Sequence, residues 1–314
     1  MLDLLHFEWR YHTRRIAFFA AALLFLLLGL FLPSSGYGPD NVHLNAPSVI
    51  AQSVGLLSLL SILALTVFGT DAALRDGEHR MAALVYATPV TKLRLLTARF
   101  LGALLASSAA FAFTLVGLLV GALWLAPDPA RLGPVHLLDY AWAFLLLALP
   151  NMLLAGALLF SVALLTRSNA ASYVAGVLAY VLYFVGAAFS NSPLMAQSSP
   201  PTPAGLALAA VLDPFGLAAL FEQTHHWTPE ERNLRPLALA GNLLLNRALW
   251  TGVSLALLAG ACALFRLRLP QGAKPASADR VEGTAAVAPY RPLPTSPGRW
   301  AALRSTTRLE LRAA

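Results

Sequence analysis

The stretch Asp71-Ala72-Ala73-Leu74-Arg75-Asp76-Gly77-Glu78-His79-Arg80-Met81-Ala82-Ala83-Leu84-Val85-Tyr86-Ala87-Thr88-Pro89-Val90-Thr91-Lys92-Leu93-Arg94-Leu95-Leu96-Thr97-Ala98-Arg99 decides how this chain folds. It is short and charged, and apolar runs long enough to cross a bilayer lie on both sides of it. A charged stretch between two membrane spans has to face water. Its five cations, Arg75, Arg80, Lys92, Arg94 and Arg99, assign it to the cytoplasmic side, where short loops carry excess Lys and Arg. An ordered helix of mixed charge displayed there reads as a docking surface.

Working outward, the composition agrees. Of 314 residues, 58% are hydrophobic and 12% charged, against about 25% charged in ordinary soluble domains. The formal net charge of +7 does not point to nucleic acid, because the basic residues sit at the ends of apolar runs, where orientation and lipid head groups explain them. Cys262, the only cysteine, lies in an apolar run and reads as a packing residue.

Residues 3–15 mix Leu4, Leu5, Phe7, Trp9 and Tyr11 with Glu8, Arg10, Arg14 and Arg15, the pattern of a helix lying at the membrane surface. Six spans follow, near Ile16–Leu32, Val49–Thr70, Phe100–Leu125, Tyr140–Leu165, Ala170–Phe189 and Arg247–Phe265. The second carries Gln52, Ser53, Ser58 and Ser61, and the fourth is interrupted by Pro150-Asn151. Polar side chains at that density favour helix contacts or a path over lipid, so Gln52, Ser53, Ser58, Ser61 and Asn151 are candidate path-lining residues. Gly117 and Gly121 in the third span permit a close helix approach.

Between the fifth and sixth spans, a Ser/Pro stretch (190–203) leads into Ala204–Leu212, then Asp213-Pro214-Phe215-Gly216, then Leu217–Phe221. Asp-Pro and Gly at the centre argue against a seventh crossing. Two short helices on or dipping into the outer leaflet are expected instead. Thr228, Pro229 and Glu231 form a helix-start signature. With six spans and both termini inside, only Arg131, Arg232, Arg235 and Arg247 among the 22 Lys and Arg lie outside. Residues 1–268 are thus expected to form one all-α transmembrane domain and 269–314 a cytoplasmic tail, mostly disordered. Near its end Arg308-Leu309-Glu310-Leu311-Arg312 echoes His6-Phe7-Glu8-Trp9-Arg10.

Catalytic chemistry finds little support. No Gly-rich phosphate loop ending in Gly-Lys-Ser/Thr occurs, and no His-Glu-x-x-His zinc pair. His225 and His226 are adjacent and make a poor metal site. Glu8 and Glu78 each neighbour basic residues and read as solvated or docking groups. Neither a catalytic residue, a metal nor a cofactor of its own is expected.

The ordered set of features resembles the permease subunits of type-2 ABC exporters. In that family a cytoplasmic coupling helix between the second and third spans carries a Glu, then Leu, then Ala/Thr-x-Pro-Val/Ile; here these are Glu78, Leu84 and Ala87-Thr88-Pro89-Val90. Within that family the chain resembles more closely the N-terminal six-span half of large bacterial permeases fused to a zinc aminopeptidase-like domain. The similarity runs through Phe7-Glu8-x-Arg10-Tyr11-His12, Asn41-Val42-His43-x-Asn45-Ala46-Pro47, Leu74-Arg75-Asp76-x-Glu78-His79-Arg80 and Leu164-x-Thr166-Arg167-Ser168. It continues through Leu212-Asp213-Pro214-Phe215-Gly216, Trp227-Thr228-x-x-Glu231-Arg232-Asn233 and Asn246-Arg247-x-Leu249-Trp250.

The resemblance implies a transport subunit in the bacterial inner membrane with no enzyme activity of its own. Its partners would be an ABC ATPase, which supplies ATP and Mg, and a second six-span half, identical or not. Coupling to the ATPase would fall to Arg75, Asp76, Glu78, His79, Arg80, Thr88, Pro89 and Lys92. Asp213, Pro214, Phe215, Gly216, Trp227, Glu231, Arg232 and Asn233 would structure the outer segment. Family members continue into a second half and the peptidase-like domain, so the chain is expected to be a truncated product, a half-size subunit or a fragment, and no peptidase activity is carried over to it. The rival reading is a membrane scaffold that binds a partner and transports nothing.

Overall fold

Apolar helices can approach each other closely only where small residues open their surfaces, and the tightest pair in this chain is built that way. Helix α2 (Ile16–Ser34) packs along α6 (Lys92–Trp124) with Gly29 against Gly117 and Thr114, and Gly121 against Leu30. A Cβ at Gly117 would meet the Leu26 carbonyl, so the Gly-x-x-x-Gly pair is a packing device here. The outer face of α2, with Phe19, Leu23 and Leu27, is exposed and apolar, as expected of a lipid-facing surface. At 33 residues, α6 is about 50 Å long, which exceeds the roughly 30 Å hydrocarbon core.

The computed structural model describes residues 1–87, 90–189 and 202–266, apart from the side chains at 83, 86 and 189. These residues belong to one unit, Met1–Leu269. Thr88, Pro89, most of the Ser/Pro stretch and the tail with its echo of the opening helix lie outside the described residues.

The described residues are helical, without strands. A short α1 (Leu2–Thr13) lies on α6 and precedes α2. Next come α3 (Pro47–Ser58), α4 (Ser61–Glu78), α5 (Ala82–Tyr86) and α6. Then α7 (Leu137–Thr166), α8 (Asn169–Phe189), α9 (Pro203–Leu212), α10 (Leu217–Thr224), α11 (Pro229–Leu234) and α12 (Gly241–Leu264) complete the bundle. Five helices are long and apolar enough to cross a membrane, and the bent pair α3–α4 raises the number to six if it is one span. This is the architecture of a multi-pass membrane protein.

Two departures from the sequence reading have local causes. The second apolar run is not one straight helix: α3 and α4 meet at 44°. Ser58 Oγ donates to the Gly55 carbonyl and Ser61 Oγ to the Ser58 carbonyl (both 2.6 Å), and Tyr180 Oη donates to the Leu59 carbonyl. Hydroxyls that bond back to the preceding turn bend a helix, and the tyrosine takes a carbonyl that the break frees. The fourth run does not break at Pro150. It widens into a π-type turn at Phe144–Ala148 just before the proline, a common way to absorb a missing N–H and a ring clash.

The core sits where α2, α3, α4, α6 and α7 meet, around Phe25, Phe68, Phe111, Leu147 and Phe160. Loops 35–46 and 125–136 lie at the same end as α9–α11, tied by Asn45 to the Gly133 carbonyl (2.8 Å) and by Arg131 to the Pro39 carbonyl (2.8 Å).

Candidate functional site

The charged stretch is a continuation of α4, and its first half is buried. Arg75 donates twice to Glu8 of α1, at 3.0 Å and 2.5 Å, and stacks over Tyr11 with its carbon 4.2 Å from the ring centroid. Asp76 accepts from Arg99 of α6 at 2.6 Å. Beside the pair, Arg15 bonds Asp71, and Tyr11 Oη lies 3.5 Å from the same carboxylate. Gly102 of α6 leaves room for the Glu8 side chain, because any Cβ there would strike it. Arg75 and Asp76 therefore present no surface; they lock α1, α4 and α6 together.

Inside this cluster His12 is completely buried. Neither ring nitrogen has a hydrogen-bond partner among the described residues, and Nε2 stands 3.8 Å from Glu8 Oε2. Desolvation, with Arg75 and Arg15 adding to it against the opposing pull of Asp71, lowers its pKa to about 4. The imidazole is neutral at ordinary pH.

Exposure begins one turn later. Glu78, His79, Arg80, Met81 and Leu84 are open, with Glu78 bonded to Asn169 and Arg80 in the left-handed region at φ 55°. A non-glycine residue with positive φ is uncommon and marks a turn set by its surroundings. Lys92 Nζ donates to the Phe265 carbonyl at 3.0 Å, which ties the start of α6 to the end of α12. Of the predicted docking residues, Glu78, His79 and Arg80 form one exposed turn. Lys92 serves a helix end, and Thr88 and Pro89 fall outside the described residues.

At the opposite end, α9 and α10 form a hairpin around Asp213-Pro214-Phe215-Gly216. Asp213 caps α10, its two carboxylate oxygens accepting from Phe215 N (3.0 Å) and Ala218 N (2.7 Å). Gly216 takes φ 71°, and a Cβ there would collide with the Arg247 guanidinium. Two physical requirements, left-handed backbone and close approach, thus call for glycine at one position. Burial raises the Asp213 carboxyl above the usual carboxylate range, partly offset by the N–H donors and Arg247.

Arg247 is the seventh residue of α12 and is buried. The sequence reading began the last span at Arg247; the helix begins at Gly241, which draws this cation inside. Its Nε and Nη2 donate to Asn246 Oδ1 (3.0 and 2.5 Å), and its Nη1 donates to Asn151 Oδ1 (2.8 Å). Asn246 Nδ2 in turn reaches the carbonyls of Ala210, Val211 and Asp213. The first two are acceptors in the last turn of α9, and the Asp213 carbonyl also takes the Gly216 N–H. Asn151 Nδ2 donates to Ser58 Oγ at 2.8 Å. One polar chain thus runs from the hairpin through α12 and α7 to the bend between α3 and α4.

That chain relocates the predicted path-lining residues. Ser58 and Asn151 are fully buried parts of it, and Ser53 and Ser61 are buried as well. Gln52 is exposed, and lines a cavity of about 360 Å³ with Tyr37, Ser48 and Arg232. Thr228 and Glu231 complete the expected capping box, and Arg232 donates to the carbonyls of Trp227 and Thr224 (both 3.2 Å). Asn233 accepts from His43 N at 2.8 Å. The outer-segment residues therefore build their own corner.

His12, Arg99 and Asn246 were not singled out from sequence as site residues, and Glu8, read there as a solvated or docking group, is buried in the cluster. The available signal was the conjunction of a Glu-x-x-x-His pair on α1 with cations in the charged stretch. Among the described residues no group of three or more His, Cys, Asp and Glu could hold a metal; the His225 and His226 rings lie against each other, 3.6 Å between centroids. No protein-family model matches the chain, and no curated protein matches it.

Proposed function

We propose that this chain is a permease subunit of an ABC exporter, moving an unidentified substrate across or out of the bacterial inner membrane with ATP hydrolysed by a separate subunit. The observation that supports this most is the exposed turn Glu78–Met81 at the tip of α4. Directly above it, Arg75–Glu8 and Asp76–Arg99 bind α4 to α1 and α6. A push on the turn is therefore passed to three helices at once rather than absorbed by a loose loop. Docking needs such a lever, and a passive loop does not. The docking contacts are Glu78, His79, Arg80 and Leu84, with Arg75 and Asp76 as the stiffening behind them. In this reading the α1 end faces the cytoplasm, both termini lie there, and a second six-span half completes the path.

The test is co-purification from the native host of the detergent-solubilised chain, with mass spectrometry of the captured proteins. An ABC ATPase is expected with the wild type and not with Arg80→Glu combined with Leu84→Asp, two exposed positions. Equal ATPase recovery from both would overturn the docking assignment. Recovery from neither would overturn the transport reading.

A further inference from the structure

Between α7, α8, α9 and α12 lies a cavity of about 700 Å³ that the polar chain and the exposed turn leave unused. Ligand pockets span roughly 300–1,000 Å³. Its wall is almost wholly aliphatic, and it opens sideways past Leu182, Leu208 and Leu212, all more than half exposed. In a bundle of membrane-crossing helices, a mouth rimmed by exposed leucines opens towards acyl chains rather than water.

Three side chains bring polar atoms to the wall, Tyr183, Trp250 and Asp213. Tyr183 is 9% exposed, packs edge-on against Phe215 at 4.7 Å between ring centroids, and turns a buried hydroxyl towards the Asp213 carboxylate without closing a hydrogen bond of normal length to it. Trp250 Nε1, on the same wall, is buried and has no hydrogen-bond partner among the described residues. Asp213 lines the cavity too, its two carboxylate oxygens sharing the backbone N–H groups of Phe215, Leu217 and Ala218 and so left with room for one further donor. A buried hydroxyl and indole N–H left unpaired are costly, and apolar contents would leave them so.

We propose that this cavity holds one acyl chain of a bilayer lipid, with a hydroxyl of its head group taken up by Tyr183, Trp250 and Asp213. The aliphatic wall accepts the chain. Trp250 donates to the head hydroxyl, Tyr183 donates or accepts, and Asp213 accepts the hydroxyl proton without any proton being transferred. The inference rests on the cavity alone and does not depend on the ATPase reading.

Gly186 lies on the wall, and a Cβ built there meets nothing within 4 Å. Gly186→Leu therefore fills space without a clash, and inside α8 it removes a helix-weakening glycine. The experiment titrates the detergent-purified full chain with monooleoylglycerol, and separately with methyl oleate, which has the chain but no hydroxyl. Native mass spectrometry counts the bound molecules. One saturable monooleoylglycerol per chain is expected, held more tightly than methyl oleate. Gly186→Leu should weaken both more than tenfold. Tyr183→Phe should weaken monooleoylglycerol roughly three- to tenfold, the worth of one hydrogen bond, and leave methyl oleate unchanged. Undiminished binding by Gly186→Leu would overturn the proposal. So would non-saturating binding, or a wild type that binds neither compound.

Discussion

Two buried polar clusters hold the two ends of this bundle, and they solve the same problem differently. At the α1 end, Glu8, Asp76, Arg75 and Arg99 are paired charge to charge, at 2.5 to 3.0 Å. At the hairpin end, Arg247 is held by the amide oxygens of Asn246 and Asn151, with no direct ion pair among the described residues. A charge met by an opposite charge is neutralised in place. A charge met by neutral dipoles depends on geometry, because each amide has one orientation that works. The first cluster should be sensitive to the loss of charge, and the second to the loss of shape.

The largest effect is expected from Glu8→Ala. It leaves Arg75 buried without its hydrogen-bonded carboxylate and removes the second carboxylate near Arg99, 3.9 Å away. Breaking one partner of a buried pair costs about 3–5 kcal/mol, to be read as a loss of unfolding free energy in detergent. Replacing both partners with apolar residues, Glu8→Leu with Arg75→Met, should recover most of it. A loss below about 1 kcal/mol, the range of exposed pairs, would show that the cluster is solvated and end the contrast.

Next comes pH. His12 has its folded pKa lowered to about 4 from the usual 6.5, chiefly by burial among Glu8, Tyr11, Asp71, Arg75 and Arg15. Below pH 6.5 the unfolded chain takes up a proton that the folded one refuses, so stability falls as pH drops from 6.5 towards 4 and levels off below. The total is about 3 kcal/mol at 1.36 kcal/mol per unit. His12→Phe should flatten that part of the stability–pH curve. An unchanged slope in the variant would mean that another group produces it.

Arg247→Lys should cost about 2 kcal/mol, since one ammonium cannot reproduce the paired bonds to Asn246 and the third to Asn151. Charge is kept and shape is lost, so this substitution isolates the property assigned to the hairpin end. Gly216→Ala should cost a similar amount, from left-handed strain and displacement of the guanidinium. Because both act on one contact, their effects should not add. If Arg247→Lys has no effect on stability, the second cluster works by charge after all.

What could be read from the chain alone follows the same division. The all-helical, multi-pass character and the place of the charged stretch between apolar helices were legible because hydropathy is local and one-dimensional. The capping box of Thr228 and Glu231 was legible because its partners are three residues apart. The role of Arg75 was not: its charge reads as surface until Glu8, 67 residues away, is brought beside it. Asn151 reads as a path residue for the same reason, since Arg247 lies 96 residues further on. The bend at Ser58–Ser61 was hidden by a continuous apolar run that looked like one span.

The smallest expected effect tests whether the buried chain or the exposed rim holds the hairpin end. Thr228 Oγ1 accepts from Glu231 N at 3.3 Å, and Glu231 Oε2 accepts from Thr228 N at 3.0 Å. This box starts a six-residue helix held to the bundle by hydrogen bonds, Ser48 Oγ to the Arg232 carbonyl, His43 N to Asn233 Oδ1 and the Arg232 guanidinium to the Thr224 carbonyl of α10. Thr228→Ala removes a cap worth about 1 kcal/mol. Since α11 has no buried residue, the loss should stay local: faster amide exchange over 229–234, with the exchange of α12 around Asn246 and the global unfolding free energy nearly unchanged. A global loss as large as that of Arg247→Lys would mean that α11 clamps the hairpin from outside. The guanidinium with its three amide bonds would then follow from the hairpin's position instead of fixing it.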